Sequence, residues 1–174
     1  MRMRTAATVS VFALTTFAVL AFVRHADAKE PRPGAPTEYI ETLHGEWTGE
    51  AKLMANPVHT TLRWTSVLSG KFTRLELEHR AGGAEGAVIF AGHSYVANKP
   101  GPETSGTWFD SSGTVRPQAV RVDDGALIVD WGTAETEEGR SVYKLVEGDK
   151  LQVEDWVKRG EEFHPFAGGN LTRE

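Results

Sequence analysis

The sequence predicts an all-β protein: an antiparallel up-and-down barrel of about ten strands, entered through one short N-terminal helix. Three observations point there. From Glu46 onward the 174-residue chain divides into short runs rich in Val, Thr, Leu, Trp and Phe. Turn signals separate these runs at Asn56-Pro57, Gly70, Gly82-Gly83, Lys99 to Pro102, Ser111 to Gly113, Asp124-Gly125, Glu138-Gly139, Glu147 to Asp149 and Arg159-Gly160. Several runs alternate polar and apolar residues with period two, the mark of a strand with one wet face. Connections this short join antiparallel neighbours, and so small a sheet hides its edges best by closing on itself.

The elements follow in order. Met1 to Arg4 is basic, Thr5 to Val23 is uncharged and mostly apolar, and Ala26-Asp27-Ala28 places small residues where a signal peptidase needs them. Residues 1–28 therefore read as a secretory signal peptide, which leaves no membrane insertion after cleavage. Residues 29–36 hold three prolines, at positions 31, 33 and 36, and read as an extended Pro-rich linker. The barrel domain then occupies residues 37–174. Thr37 to His44 reads as its helix, with Thr37 as cap, Tyr39, Ile40 and Leu43 as the apolar side and Gly45 as the stop.

Three hairpins allow a register to be assigned. Lys71 to Arg80 alternates so that Thr73, Leu75, Leu77 and His79 share a dry face, with Arg74, Glu76, Glu78 and Arg80 opposite. With Gly82 to Gly86 as a five-residue loop, Leu75 pairs with His93, Leu77 with Ala91 and His79 with Ile89, and Tyr95 lies beyond on the same face. With Glu147 to Asp149 as a three-residue loop, Leu145 pairs with Leu151, Tyr143 with Val153 and Ser141 with Asp155. A two-residue turn at Arg159-Gly160 then sets Asp155 opposite His164. The barrel-interior candidates for ligand binding are thus His79, His93, Tyr95, Tyr143, Asp155 and His164.

Composition narrows the function. The chain has no cysteine, which excludes a disulfide scaffold and thiolate metal sites, and its net charge is −5. The leader holds Arg2, Arg4 and Arg24 against Asp27, so the part beyond it is more acidic still. A surface of that sign repels nucleic acid phosphates and anionic lipid. Export without cysteine points to a bacterial periplasm or extracellular location.

No nucleophile elbow, zinc-protease helix, phosphate loop or dinucleotide fingerprint occurs. Ser141-Val142-Tyr143-Lys144 matches Ser-x-x-Lys in form, but it alternates as a strand and sends Lys144 to the other face. No catalytic residue and no metal site is assigned, since His79 and His93 lack an adjacent third ligand. Trp64, Trp108 and Trp131 stand in separate apolar runs and read as core packing.

Gly45-Glu46-Trp47-Thr48-Gly49 directly after the helix, then Trp64 to Gly70, Trp108 to Gly113 and a terminal Leu171-Thr172-Arg173 resemble the small lipocalin-like barrels of the calycin superfamily. Within it the chain is most similar to bacterial uncharacterised lipocalin-like families, over Thr37 to Arg173. The resemblance implies a non-enzymatic barrel that binds a small apolar or amphipathic molecule, with Trp47 packed at the barrel base against Arg173. The Gly-x-Trp-x-Gly entry also resembles nitrobindin-type haem barrels. That alternative implies haem bound through a histidine near the C-terminus, His164 by position, and nitric oxide or peroxynitrite chemistry. A third reading is a filled barrel serving as an envelope interaction module.

Overall fold

A computed structural model describes residues 34–147 and 149–174; the expected signal peptide, residues 1–28, and residues 29–33 of the expected linker lie outside the described residues. One helix, α1 (Pro36–Leu43), precedes ten strands: β1 (Gly45–Leu53), β2 (Asn56–Val67), β3 (Phe72–Ala81), β4 (Ala87–Ala97), β5 (Glu103–Asp110), β6 (Val115–Asp123), β7 (Ala126–Trp131), β8 (Gly139–Val146), β9 (Lys150–Arg159) and β10 (Glu162–Arg173). Each strand pairs antiparallel with the next, and β10 pairs with β1 to close the barrel. The hairpins β1–β2, β3–β4, β5–β6, β7–β8 and β9–β10 all turn at one end, the mouth. The remaining connections and α1 lie at the other end, the base.

At the base the helix acts as a plug. Pro36 is buried and opens α1, so the helix begins one residue before Thr37 and the linker assignment of Pro36 does not hold. The missing N–H of proline costs nothing in a first turn. Thr37 does not cap the helix; its hydroxyl donates to the Lys99 carbonyl at 3.0 Å, tying α1 to the β4–β5 connection. Tyr39 reaches the Gly125 carbonyl at 3.1 Å and receives the Leu145 amide at 3.0 Å. Ile40 and Leu43 then enter the core beside Trp47, Leu62, Trp64 and Leu127.

The C-terminus of α1 is held by the first and last strands together. Trp47 pairs with Arg173 across β1 and β10, and its indole N–H donates to the Leu43 carbonyl at 2.8 Å. The Arg173 guanidinium lies 4.1 Å from the centre of the Trp47 ring and donates to the His44 carbonyl at 2.6 Å and the Thr42 carbonyl at 2.8 Å. Helix-end carbonyls have no partner within the helix. Here three of them are satisfied by residues that also close the barrel.

The β8–β9 register is the expected one, with Leu145 opposite Leu151, Tyr143 opposite Val153 and Ser141 opposite Asp155. The β3–β4 register is not. The five-residue loop over 82–86 is present, with Ala81 opposite Ala87 and Arg80 opposite Val88, but His79 then pairs with Phe90. Ile89 is the extra residue of a β-bulge. It moves everything beyond it by one position. Phe90, Gly92 and Ser94 therefore face inward, whereas His93 stands opposite Glu76 and Tyr95 opposite Arg74 on the outer wall. The His93 side chain is 48% exposed with a Glu76 oxygen 3.9 Å away, and Tyr95 packs edge-on to Phe109. Both interior assignments are overturned.

The third hairpin also departs from expectation. Its turn is at Gly160-Glu161, and a second bulge at Phe166 sets Ala167 opposite Asp155. His164 pairs with Val157 near the mouth, 52% exposed and 3.9 Å from Glu162. The Asp155–His164 pair does not form.

Candidate ligand cavity

The barrel is filled at its base and hollow toward its mouth. A cavity of about 260 Å³ opens there, and a small void of about 20 Å³ beneath it shares Leu77, His79, Tyr143 and Asp155 with its floor. The void has room for about one water molecule.

Aromatic rings line the cavity. Phe90 stacks on Trp108 with centroids 6.5 Å apart, and Trp131 meets Phe166 edge to face at 6.4 Å. Two glycines allow the indoles to lie flat. A Cβ on Gly92 would stand 2.0 Å from the Trp108 ring, and one on Gly139 would stand 2.1 Å from the Trp131 ring. Each ring occupies the space of a missing side chain on the neighbouring strand, which leaves the lumen open. Trp131 is cavity wall and not the core packing the sequence suggested, Trp108 lines the cavity while also packing against the core, and Trp64 is core and meets Tyr143 edge-on at 5.2 Å.

The floor is polar. His79 is buried, hydrogen-bonds Thr60 at 2.9 Å and stacks on Phe90 at 5.9 Å. Burial lowers its pKa to about 4, so the ring is neutral near pH 7. Tyr143 is buried as well, and burial raises its pKa, with the Asp155 charge adding to the effect. The Ser141 hydroxyl donates to Asp155, whose carboxyl is pushed up to about 6 by burial, against the lowering effect of that hydrogen bond.

The rim carries an ion cluster. Arg116 contacts Asp110 at 3.1 Å and Glu137 at 3.3 Å, with its guanidinium 5.2 Å over the Trp131 ring. Burial alone would raise the Asp110 pKa, but hydrogen bonds from Ser112, Thr114 and Trp108 outweigh it and hold the carboxyl below its usual range. The same bonds brace the β5–β6 turn.

Of the expected interior residues, His79, Tyr143 and Asp155 line the cavity, while His93, Tyr95 and His164 do not. Trp47 and Arg173 lie at the base. Phe90, Trp108, Asp110, Arg116, Trp131 and Phe166 were not foreseen as cavity residues. Their sequence signal was faint: a glycine at an inward position beside a strand carrying tryptophan, visible only once the register is known. His164, the histidine expected to attach haem, presents no imidazole to the cavity. Among the described residues no group of three or more His, Asp and Glu is placed to hold a metal.

No family model and no curated protein matches the sequence. Among solved structures, the crystal structure of Rv2717c from M. tuberculosis is similar over 82% of this chain and 99% of that chain, with a TM-score of 0.59 at 14% identity. At that identity the likeness is one of fold alone, and the fold it shares with this chain is the closed barrel.

Proposed function

We propose that this protein is an exported, lipocalin-like binding barrel that takes one compact apolar or amphipathic molecule into its mouth half and performs no chemistry on it. The observation that carries the reading is the cavity of about 260 Å³ walled by Phe90, Trp108, Trp131 and Phe166. Small-molecule sites are concave, mostly apolar and fitted with a few polar groups, at roughly 300–1,000 Å³. At about 260 Å³ this cavity lies just below that range, which suits a compact ligand. The Gly-x-Trp entry after α1 and the Arg173–Trp47 stack support the lipocalin-like assignment. Binding is favoured over hydrolysis because Ser141 donates to Asp155 while His79 is engaged with Thr60, so the serine has no imidazole base.

Native mass spectrometry of the protein isolated from its own cells tests the reading. A co-purifying small molecule is expected. Gly92→Ala should lose it, because the new methyl group forces the Trp108 ring into the lumen. The variant should also lose about 1–3 kcal/mol of stability through overpacking. Unchanged ligand content in a folded Gly92→Ala protein would overturn the assignment of the cavity. Export has its own test: N-terminal sequencing of material from outside the cytoplasm should begin at Lys29, and a chain that still carries Val23 would mean a retained anchor.

A further inference from the structure

The charges around the cavity narrow the chemistry of its ligand. Three carboxylates line it, Asp110, Glu137 and Asp155, against a single guanidinium, Arg116. Arg116 is already paired with Asp110 and Glu137 and lies over Trp131, so its charge is compensated within the rim. Asp110 is 2% exposed and occupied by its own turn, and Glu137 also receives Arg159 at 3.0 Å.

Asp155 is different. Among the described residues it makes no ion pair, and its one side-chain partner is the Ser141 hydroxyl, donating to one carboxylate oxygen. The titratable groups that share its surroundings are His79 from β3 and Tyr143 from β8, with Arg116 of β6 across the cavity. His79 is neutral near pH 7 and Tyr143 holds its proton more tightly than usual, so neither supplies positive charge. A partly buried carboxylate without a cation is costly, and a ligand that supplies one recovers that cost. The rings of Phe90, Trp108 and Phe166 line the same cavity, with Arg116 already over Trp131, and aromatic rings attract a desolvated cation.

We propose that the ligand is a compact organic cation, a lipophilic amine or quaternary ammonium, whose positive charge sits against Asp155 while its apolar part fills the space among the aromatic walls. The inference rests on the ligand-cavity reading above and commits it to one charge. Anionic ligands of the same size are repelled by the same carboxylate.

The test uses the mature protein and two probes of one shape, benzyltrimethylammonium and its neutral carbon analogue neopentylbenzene. Each is titrated at pH 8 and pH 5 with tryptophan fluorescence as readout. At pH 8 the cation should bind about tenfold or more tightly than its analogue. At pH 5, about one unit below the Asp155 titration, its affinity should fall about tenfold while that of the analogue stays constant. Asp155→Asn should remove the preference and leave binding of the analogue unchanged. The pH comparison within the parent protein stands even if that variant folds poorly. Equal or tighter binding of the analogue at pH 8 would overturn the cation inference and leave the cavity reading intact. A preference that survives in Asp155→Asn would overturn the role of Asp155. Binding of neither probe would remove the cavity reading and the inference with it.

Discussion

Replacing Trp47 by alanine should cost about 3–5 kcal/mol of stability, measured by chemical denaturation. The residue is fully buried, with no exposed surface, and stands where α1, β1 and β10 meet. Its loss leaves a cavity the size of an indole at the barrel base. It also removes the N–H that satisfies the Leu43 carbonyl and the ring on which the Arg173 guanidinium rests. The helix plug and the closing strand pair are therefore loosened together. Trp47→Phe should be milder, since it refills most of the volume and loses chiefly the hydrogen bond. A loss below about 1 kcal/mol in Trp47→Ala would mean that the base is not held in this way.

Asp155→Asn should stabilise the protein at pH 8 by about 2–3 kcal/mol, and the gain should disappear below about pH 4. The Asp155 carboxyl titrates at about 6 in the folded state against an ordinary value of 3.8, and burial is the main cause. A raised carboxyl pKa means that the folded protein favours the protonated form. Its contribution is therefore complete below the ordinary value and is lost as pH rises through the folded one. Asparagine mimics the protonated side chain at every pH and keeps an acceptor for the Ser141 hydroxyl. His79 acts in the opposite sense: with its pKa lowered from 6.5 to about 4, stability declines as pH falls through that interval. The two slopes offset one another in the parent protein, so the difference between parent and variant isolates Asp155. A difference that does not change between pH 8 and pH 4 would overturn the environment assigned to the carboxyl. Stability gained at the expense of cation binding would mark Asp155 as a site kept for function.

Much of the architecture was legible because it rests on local chemistry. The glycine-rich and proline-rich breaks located most of the turns. One displaced signal was Asn56-Pro57, where the chain turns two residues earlier at Met54-Ala55, with both residues at positive φ (47° and 68°) and no glycine to announce it. The β8–β9 pairing was readable because Lys144, Gln152 and Glu154 must face water, which leaves one register for Tyr143 and Asp155. The Trp47–Arg173 contact was expected only from the resemblance to lipocalin-like barrels, and the β1–β10 register places the two residues side by side.

The upper barrel could not be read in the same way. Val88, Ile89, Phe90 and Ala91 are apolar on both faces, so alternation does not distinguish the true register of β4 from its inverse, and the bulge at Ile89 leaves no mark in composition. That one inserted residue sent His93 outward and brought Phe90 and Gly92 inward. Whether the lumen is hollow was likewise decided by tertiary structure. Openness depends on Trp108 lying over Gly92 and Trp131 over Gly139, pairs that meet only after neighbouring strands have set their stagger. Periodicity along one strand determines which residues can be buried together; closure of the ring determines which of them face each other, because it sums the register of every strand pair around the barrel.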